Sequence, residues 1–357
     1  MEHATIYPYS SSLLPIVRNF HELQNEYVLD HIISHPGSGL TGKDAAYVCN
    51  QPNISIDVEE TLDLQAPWTT LFVDVSRLTD RESANKLLAD ANASHKKVFL
   101  IEDTSGHIPS WHRDIQSRLS KNEFPARLCK EEIDQIQSEM MHEITTPIFL
   151  VGGLVEQADT LDVVCSITKI LRQKGLRVEV VTSKPACRLL GFHDMSYLFD
   201  RTKVLEDIIQ SINKFIYAVQ NKFLPDVILV LAPDGMIQYN SLVPNGFGIK
   251  TYMTCQAVCP DYCYCCVPAD MSSPEMIESL STDFMYRYGV AINAAHISNL
   301  VVDTMQILQD RKLSFSYLEM ESVNKYLSLS ANSKIPVFNV FTQKEKVESA
   351  LESMLSY

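Results

Sequence analysis

The sequence has little positive charge and no long hydrophobic run. Its 30 Lys and Arg residues are outnumbered by 44 Asp and Glu residues, which gives a formal net charge of -14. Because nucleic-acid phosphates are bound by clustered Lys and Arg, this balance argues against a nucleic-acid partner. The longest apolar runs, such as VILVLAP at residues 227–233, are far shorter than the roughly 20 residues of a membrane helix. The sequence therefore predicts no membrane partner either.

The sequence also lacks the marks of secretion and of a disulfide framework. Its first residues, MEHATIYPYSSS, have neither the basic segment nor the apolar stretch of a signal peptide. The nine cysteines are an odd number, which argues against full disulfide pairing. A hydrophobic fraction of 46% is ordinary for a protein with a substantial core. We expect a cytoplasmic protein whose cysteines are thiols or ligands.

The first third of the chain alternates β-rich runs with helical ones. Apolar segments at residues 4–7, 27–34, 70–75 and 97–102 have strand character, and residues 82–91 have helical character. We predict an N-terminal α/β domain over residues 1–103. A polar linker over residues 104–145 follows, and its KEEIDQIQSEMMHEI segment predicts a connecting helix.

Residues 146–357 alternate more regularly and predict a C-terminal doubly wound α/β domain. The predicted helices cover residues 160–174, 204–220 and 344–354, with Thr160 as an N-cap and Gly175 as a C-terminal stop. The predicted strands are IFLVGG, LRVEVVTS, DVILVLAP, YCYCCVP, GVAINAAHI, KLSFSYLE and IPVFNVF. Both domains are thus expected to be Rossmann-like, with mostly parallel sheets and with ligands at the carboxyl ends of the strands.

The first candidate site is GSGLTGKD, residues 37–44, directly after a predicted strand. Gly37, Gly39 and Gly42 satisfy a glycine-rich phosphate motif, and Lys43 could neutralise the phosphate. Asp44 stands where Ser or Thr would bind magnesium, and Pro52 breaks the chain before a long helix can form. The alternative is a glycine turn that lets backbones approach closely.

The second candidate lies between the strand IFLVGG and the helix beginning near Thr160. Gly153 and Thr160 keep the ends of a P-loop pattern, but Asp159 occupies its lysine position, where a carboxylate repels phosphate. Asp234, after the strand DVILVLAP, stands where related folds place a magnesium-side carboxylate. The arrangement resembles dethiobiotin-synthetase-type P-loop proteins without the catalytic lysine, which disfavours ATP hydrolysis.

The third candidate is CRLLGFHD, residues 187–194. Cys187 and His193 could form a nucleophile and base pair or two metal ligands. The alternative is a histidine that caps nearby carbonyls. Together with Asp234, these two residues are our candidate catalytic groups.

The fourth candidate is the segment CQAVCPDYCYCC, residues 255–266, with five of the nine cysteines. Its spacing fits neither paired zinc motifs nor iron–sulfur runs. Strand alternation would place Cys263 and Cys265 on one face and Cys266 on the other. We therefore favour core packing over a metal site and predict no metal ligands.

Five stretches together resemble the clostridial peptide maturation system proteins over essentially the whole chain. They are IYPYSSSLLPIVR, SGLTGKDAAYV, CRLLGFHDM, DVILVLAPDGMIQYN and NGFGIKTYMTCQAVCPDY. Such proteins occur beside radical SAM maturases and small precursor peptides of bacteriocin type. The resemblance implies an accessory factor that binds the precursor peptide or the maturase during biosynthesis of a ribosomally synthesised, modified peptide.

Two alternatives stay open at the level of sequence. One is a nucleotide-dependent enzyme that modifies a peptide, and the other is a metal-binding protein organised by the cysteine cluster. The sequence identifies no cofactor.

Overall fold

The computed structural model describes residues 1–78, 80–101, 124–136, 140–200 and 202–355. The chain divides into two compact units. The first comprises Met1–Arg127 with Lys184–Asp194, and the second comprises Leu128–Ser183 with Met195–Tyr357. The predicted domain limits were residues 103 and 146. Most of the predicted linker, residues 104–123, lies outside the described residues.

The first unit is a Rossmann-like α/β domain. Its five strands are β1 (Glu2–Tyr7), β2 (Tyr27–Ile33), β3 (Val58–Glu59), β4 (Thr70–Asp74) and β5 (Lys97–Ile101). They pair in parallel in the order β3-β2-β1-β4-β5. Its described α-helices are α1 (Leu14–Leu23) and α2 (Arg81–Ala93). The four predicted strands and the predicted helix are confirmed.

The sequence analysis did not predict helix α1. It begins in a serine-rich stretch and carries Pro15 in its first turn, where proline is tolerated because the N–H there has no helical acceptor. Its apolar residues recur at helical spacing and are buried against the sheet: Leu14, Ile16, Val17, Phe20 and Leu23. The burial of this face stabilises the helix.

The second unit contains the larger set of elements. Its strands are β6 (Ile148–Gly153), β7 (Val178–Thr182), β9 (Val227–Leu231), β10 (Tyr262–Val267), β11 (Ile292–Ile297), β12 (Leu300–Val302), β13 (Phe315–Tyr317) and β14 (Val337–Phe338). The two-residue β8 (His193–Asp194) lies in the segment Lys184–Asp194 of the first unit. The seven-stranded sheet has the order β14-β11-β10-β6-β9-β7-β8, and β12 pairs antiparallel with β13. The pairings from β14 to β7 are parallel.

The described helices of this unit are α3 (Lys130–Asp134), α4 (Thr160–Gln173), α5 (Leu205–Phe223), α6 (Ile249–Val258), α7 (Pro274–Tyr288), α8 (Thr304–Asp310), α9 (Met320–Leu329) and α10 (Lys344–Leu355). The helices predicted at 160–174, 204–220 and 344–354 are confirmed. Among the described residues of the predicted connecting helix, only Lys130–Asp134 are helical, and they form the short α3. Residues 137–139 of that segment lie outside the described residues. No helix in the described ranges is both long and apolar enough to cross a membrane.

Three local predictions need correction. The segment KLSFSYLE contributes β13 to the small antiparallel ribbon and not a strand to the main sheet. The segment IPVFNVF forms only the two-residue β14. Thr160 is the first residue of α4 and not its N-cap, because Asp159 holds that position at φ +57°. Gly175, at φ +84°, does follow the end of this helix as predicted.

The strand order reverses between β6 and β10. From β6 the chain first builds β7 and β9 on one side, and then β10 and β11 on the other. Open α/β sheets hold ligands in the crevice at such a reversal, outside the carboxyl ends of the strands. The connection from β6 to α4 lies in that place.

Candidate functional site

The candidate site is the connection between β6 and α4. Gly153 ends β6 opposite Cys266 of β10, and α4 begins at Thr160. In nucleotide-binding proteins of this topology, the backbone amides of the same connection point at a phosphate. The hydrogen-bond partners of these amides, and the side chains around them, determine which ligand the site can hold.

The connection is closed by its own hydrogen bonds. The Leu154 amide donates to the Cys266 carbonyl at 3.0 Å, the Ala158 amide to Val155 at 3.2 Å and the Asp159 amide to Gln157 at 2.8 Å. Leu154, Val155 and Ala158 are buried. Three amides of the loop therefore have protein acceptors, and its apolar side chains fill the space beneath it.

The two glycines at the end of β6 are required by close packing. A Cβ on Gly153 would contact the Val155 carbonyl and lie 2.8 Å from the Thr160 methyl group. A Cβ on Gly152 would lie 2.5 Å from the sulfur of Met236. The Thr160 hydroxyl, which would bind magnesium in a P-loop, donates to the Glu156 carbonyl at 3.0 Å. Gly153 thus allows close packing of the loop, and the Thr160 hydroxyl forms a hydrogen bond within it.

A buried pair of Asp159 and His296 stands at the centre of the site. The His296 Nε2 lies 3.1 Å from the Asp159 carboxylate, and the two side chains are 1% and 4% exposed. The Nδ1 of the same ring accepts the Val340 amide proton at 3.2 Å. This ring nitrogen is therefore unprotonated, and Nε2 carries the proton that it donates to the carboxylate. Where a P-loop has its lysine, this chain has the carboxylate of Asp159, which is hydrogen-bonded to His296.

Sequence analysis did not single out His296. It is the last residue but one of the predicted strand GVAINAAHI, and a histidine near the carboxyl end of a mostly apolar parallel strand is the signal that could have identified it. Its partner is 137 positions away in the sequence, so no local pattern joins them.

The polar residues that follow β11 and β14 form hydrogen bonds with backbone groups. The Asn339 amide donates to the Ile297 carbonyl at 2.8 Å, and the Asn299 amide donates to the Leu318 carbonyl at 2.9 Å. The Ser298 hydroxyl accepts the Leu300 amide proton at 3.1 Å. All three residues are fully buried. On this side of the crevice, these polar side chains are therefore engaged in hydrogen bonds within the protein.

Asp234 caps helix α6. Its carboxylate accepts the amide protons of Lys250 at 3.1 Å and Thr251 at 3.0 Å, and the Thr251 hydroxyl at 2.7 Å. These amides belong to the first turn of the helix, where they lack intrahelical acceptors. Burial raises the pKa of Asp234, against the lowering effect of these hydrogen bonds. The geometry gives this candidate catalytic residue a capping role.

The raised pKa of Asp234 predicts a pH dependence of stability. Because the folded state binds this proton more tightly than the unfolded state does, the contribution is present at low pH and is lost as the pH rises. The free energy of unfolding of the wild type, relative to Asp234→Asn, should rise between pH 7 and pH 4 (about the range spanned by perturbed carboxyls). Urea denaturation of both proteins across this range measures the difference.

Asp226 provides the control of opposite sign. Its pKa is lowered because Arg177 donates hydrogen bonds to it. The wild type should therefore lose stability relative to Asp226→Asn as the pH falls. If both comparisons change in the same direction, the assigned environment of Asp234 is wrong.

The GSGLTGKD loop has the expected backbone but no helix behind it. Gly37, Gly39 and Gly42 have φ values of +77°, +74° and +71°. The Gly42 amide donates to Val58, and the Lys43 amide donates to Leu40. Within residues 35–69, all of which are described, the only helical turn is the short Tyr47–Cys49. The predicted failure to form a long helix is confirmed, and the helix N-terminus that a phosphate site needs does not follow this loop.

The charged residues of this loop have structural partners. The Asp44 carboxylate accepts the amide protons of Ala46, Ile54 and Ile56 at 2.9, 3.2 and 3.3 Å. The Lys43 ammonium lies 4.1 Å from the centre of the Tyr47 ring. The carboxylate fixes the turn, and the lysine is stabilised by a cation–π contact.

Cys187 and His193 belong to the first unit, in the segment Lys184–Asp194. Cys187 is fully buried in a 3-10 helix, Pro185–Leu190, and His193 is 2% exposed. Their neighbours Arg188 and Asp194 form an ion pair of 2.6 Å, in which the Asp194 side chain is 1% exposed. A nucleophile and its base must meet substrate, and both of these side chains are shielded from solvent.

The cysteine-rich segment is divided between a helix, a turn and a strand. Cys255 lies in α6, Cys259 ends that helix at φ +48°, and the last three cysteines lie in β10. Cys263 and Cys265 face the core formed with α6 and α7. In the described part of the chain, no three His, Cys, Asp or Glu side chains are grouped to hold a metal ion. The predicted strand and the alternation of its side chains are confirmed.

Burial also controls thiol reactivity. It raises the pKa of Cys265 to about 12 and the pKa values of Cys255, Cys263 and Cys266 well above the ordinary thiol value. Only Cys129 and Cys259 are exposed. Because the thiolate is the reactive form, iodoacetamide should label these two in the native protein and all nine after unfolding. Mass spectrometry of the labelled peptides measures this, and rapid native labelling within residues 263–266 would contradict the described packing.

Comparisons with known proteins show the fold alone. No protein-family model matches the chain, and no curated protein matches it. Among solved structures, it is similar to a DUF1611 family protein from Anabaena variabilis, with a TM-score of 0.61 at 10% sequence identity. The match covers 99% of this chain and 100% of the other. The α/β fold is therefore similar over nearly the whole of both chains.

Proposed function

We propose that this protein is an accessory factor in the maturation of a ribosomally synthesised, modified peptide, and that it binds the precursor peptide or its radical SAM maturase in the cytoplasm. The sequence resemblance to peptide maturation system proteins supports the pathway. The geometry of the crevice supports a binding role without nucleotide hydrolysis.

The observation that carries this proposal is the buried pair of Asp159 and His296. A phosphate-binding loop needs a cation where the β- and γ-phosphates lie, and this chain has a carboxylate at that position, hydrogen-bonded to a histidine. The loop amides of Leu154, Ala158 and Asp159 have protein acceptors. The residues present do not fit ATP with magnesium.

The two alternative functions have less support. A nucleotide-dependent enzyme needs a phosphate site, and the second loop that could supply one, around Lys43, has no α-helix behind it. A metal-binding protein needs converging thiols, whereas Cys263 and Cys265 face one side of β10 within the apolar core. The accessory role is therefore better supported than either alternative.

Peptide binding tests the proposal directly. A fluorescently labelled precursor peptide of a peptide maturation system is titrated with purified protein, and fluorescence anisotropy should show saturable binding with a dissociation constant of about 1–10 μM. A scrambled peptide of the same composition is the control. The maturase is tested in parallel by anaerobic size-exclusion chromatography with this protein. If neither the peptide nor the maturase binds, the proposed function is wrong.

A further inference from the structure

A charged cavity lies in the second unit, and none of its lining residues belongs to the connection between β6 and α4. Its walls are α3, the first half of α5, and residues 197–200 and 203 before α5. Its volume of about 550 Å³ is within the range of small-ligand sites. Six charged side chains line it: Lys130, Lys203, Lys214, Asp134, Asp200 and Asp207. The cavity therefore has the size of a ligand site and carries both charges in equal number.

One wall of the cavity is a polar stripe on α5. Four residues of the helix form it: Asp207, Gln210, Ser211 and Lys214. Their spacing of three, four and seven positions places side chains on one helix face. Seven residues at the helical rise separate the backbones of Asp207 and Lys214 by roughly 10 Å along the axis. Helix α5 thus presents a carboxylate and an ammonium group, two turns apart, to the same cavity.

A second wall, α3, is fastened to α5. The Lys222 ammonium donates to both oxygens of Glu132 at 2.7 and 2.8 Å, and this contact lowers the pKa of Glu132 to about 2. Ile133 is buried in the core of the unit. Lys130 and Asp134 therefore reach the cavity from a helix that is held in place at both its polar and its apolar side.

The charges of the cavity are not neutralised by the protein. Within the described ranges of the chain, none of the six side chains forms an ion pair. The Asp200 carboxylate accepts the amide and hydroxyl protons of Thr202 at 2.9 and 2.8 Å, which lowers its pKa and keeps it charged at neutral pH. A ligand with charges of both signs can therefore pair with these groups without breaking an ion pair of the protein.

Tyr197 adds an aromatic surface to the cavity. Its ring packs edge-on against Phe215, with 6.4 Å between the ring centres, and the residue is 44% exposed. Aromatic rings held in this way offer a fixed apolar contact to a ligand. The cavity can thus accept an apolar group as well as two charged ones.

We infer that this cavity binds a short zwitterionic peptide of about three residues, because an extended chain spans up to about 3.5 Å per residue. The termini of such a tripeptide are about 10 Å apart, as far as Asp207 and Lys214 lie apart along α5. Its ammonium group would pair with Asp207, its carboxylate with Lys214, and its middle side chain would pack on Tyr197. A simple anion or cation would instead meet three charges of its own sign. This binding site is independent of the proposed accessory role.

Capped peptides test the site on the wild-type protein. The tripeptide alanyl-leucyl-alanine, titrated by saturation-transfer NMR, should bind with a dissociation constant of about 1 mM. Acetylation of its amino terminus and amidation of its carboxyl terminus should each weaken binding about fivefold, the effect of one accessible ion pair. An absence of saturable binding up to about 10 mM overturns the inference. If only one cap weakens binding, the site recognises a single charge, and a zwitterionic ligand is wrong.

Substitutions on α5 locate the two termini. Asp207→Asn should bind the acetylated and free peptides equally, because the partner of the ammonium group is gone, and Lys214→Gln should bind the amidated and free peptides equally. Glu206→Gln is the matched control, since Glu206 is exposed on the same turn and lies outside the cavity lining. This control should keep the effect of acetylation. If both cavity variants respond to the caps as the wild type does, the peptide binds elsewhere and the assignment is wrong.

Discussion

Replacing His296 with alanine is expected to lower the free energy of unfolding by about 3 kcal/mol, the upper end of the range found when a buried polar group loses a hydrogen-bond partner. The substitution takes away the donor to the Asp159 carboxylate and the acceptor of the Val340 amide. The Asp159 side chain is only 4% exposed. Because the desolvation penalty of the buried carboxylate is less fully offset after the histidine donor is lost, the effect should be among the largest in the chain.

Urea denaturation followed by circular dichroism measures this loss. Lys334 and Glu278 form an ion pair in the same unit, with side chains that are 85% and 35% exposed. Lys334→Ala is the control and should change the free energy of unfolding by less than about 1 kcal/mol. A His296→Ala variant as stable as this control would show that the buried pair does not stabilise the crevice.

Substitution of Gly248 by alanine is the second large effect, with an expected loss of about 3 kcal/mol from backbone strain and overpacking together. Gly248 precedes α6 at φ +66°, a conformation that L-residues seldom adopt. An added Cβ would contact the Tyr288 hydroxyl and lie 2.5 Å from the Met236 carbonyl oxygen. Neither neighbour can easily move, because the Tyr288 hydroxyl donates to that carbonyl.

Gly289 separates the two causes. It has a similar φ of +77°, and a Cβ there would meet nothing within 4 Å. Gly289→Ala should therefore show only the backbone strain, about 1 kcal/mol. Thermal or urea unfolding of both variants measures the difference, and equal losses would contradict the close approach of Tyr288 to the backbone at Gly248.

The architecture could be predicted because the strands and helices carry strong local patterns. The apolar runs IFLVGG and DVILVLAP are buried on both faces of a parallel sheet, and α4 has apolar residues at helical spacing. Helix α1 and strand β3 were missed for opposite reasons. The serine-rich start of α1 resembles a loop, and β3 has only two residues, held by pairing with β2.

The site was harder to predict, because its chemistry depends on contacts between distant residues. The sequence indicated a P-loop position with a carboxylate in place of lysine, and the structure places Asp159 there. The partner of this carboxylate, His296, comes from another strand. The first candidate loop and Asp234 match motifs in sequence, but the Gly42 amide and the Asp234 carboxylate form hydrogen bonds with backbone groups of the protein.

The cysteine-rich segment illustrates the same limit in a different way. Residue type suggested a metal site, and the period of a strand predicted that Cys265 and Cys266 would point to opposite faces. The core around Cys263 and Cys265 follows that period. Spacing along a strand was therefore more informative than composition.

The most direct test of the central claim is isothermal titration of the wild-type protein with ATP and magnesium. The claim is that the crevice at the end of β6 is closed by the loop and by the pair of Asp159 and His296. We predict no binding heat at nucleotide concentrations up to about 1 mM, where even weak sites are occupied. Stoichiometric binding with a dissociation constant below about 100 μM, lost when Gly153 is replaced by valine in a variant that remains folded, would contradict it.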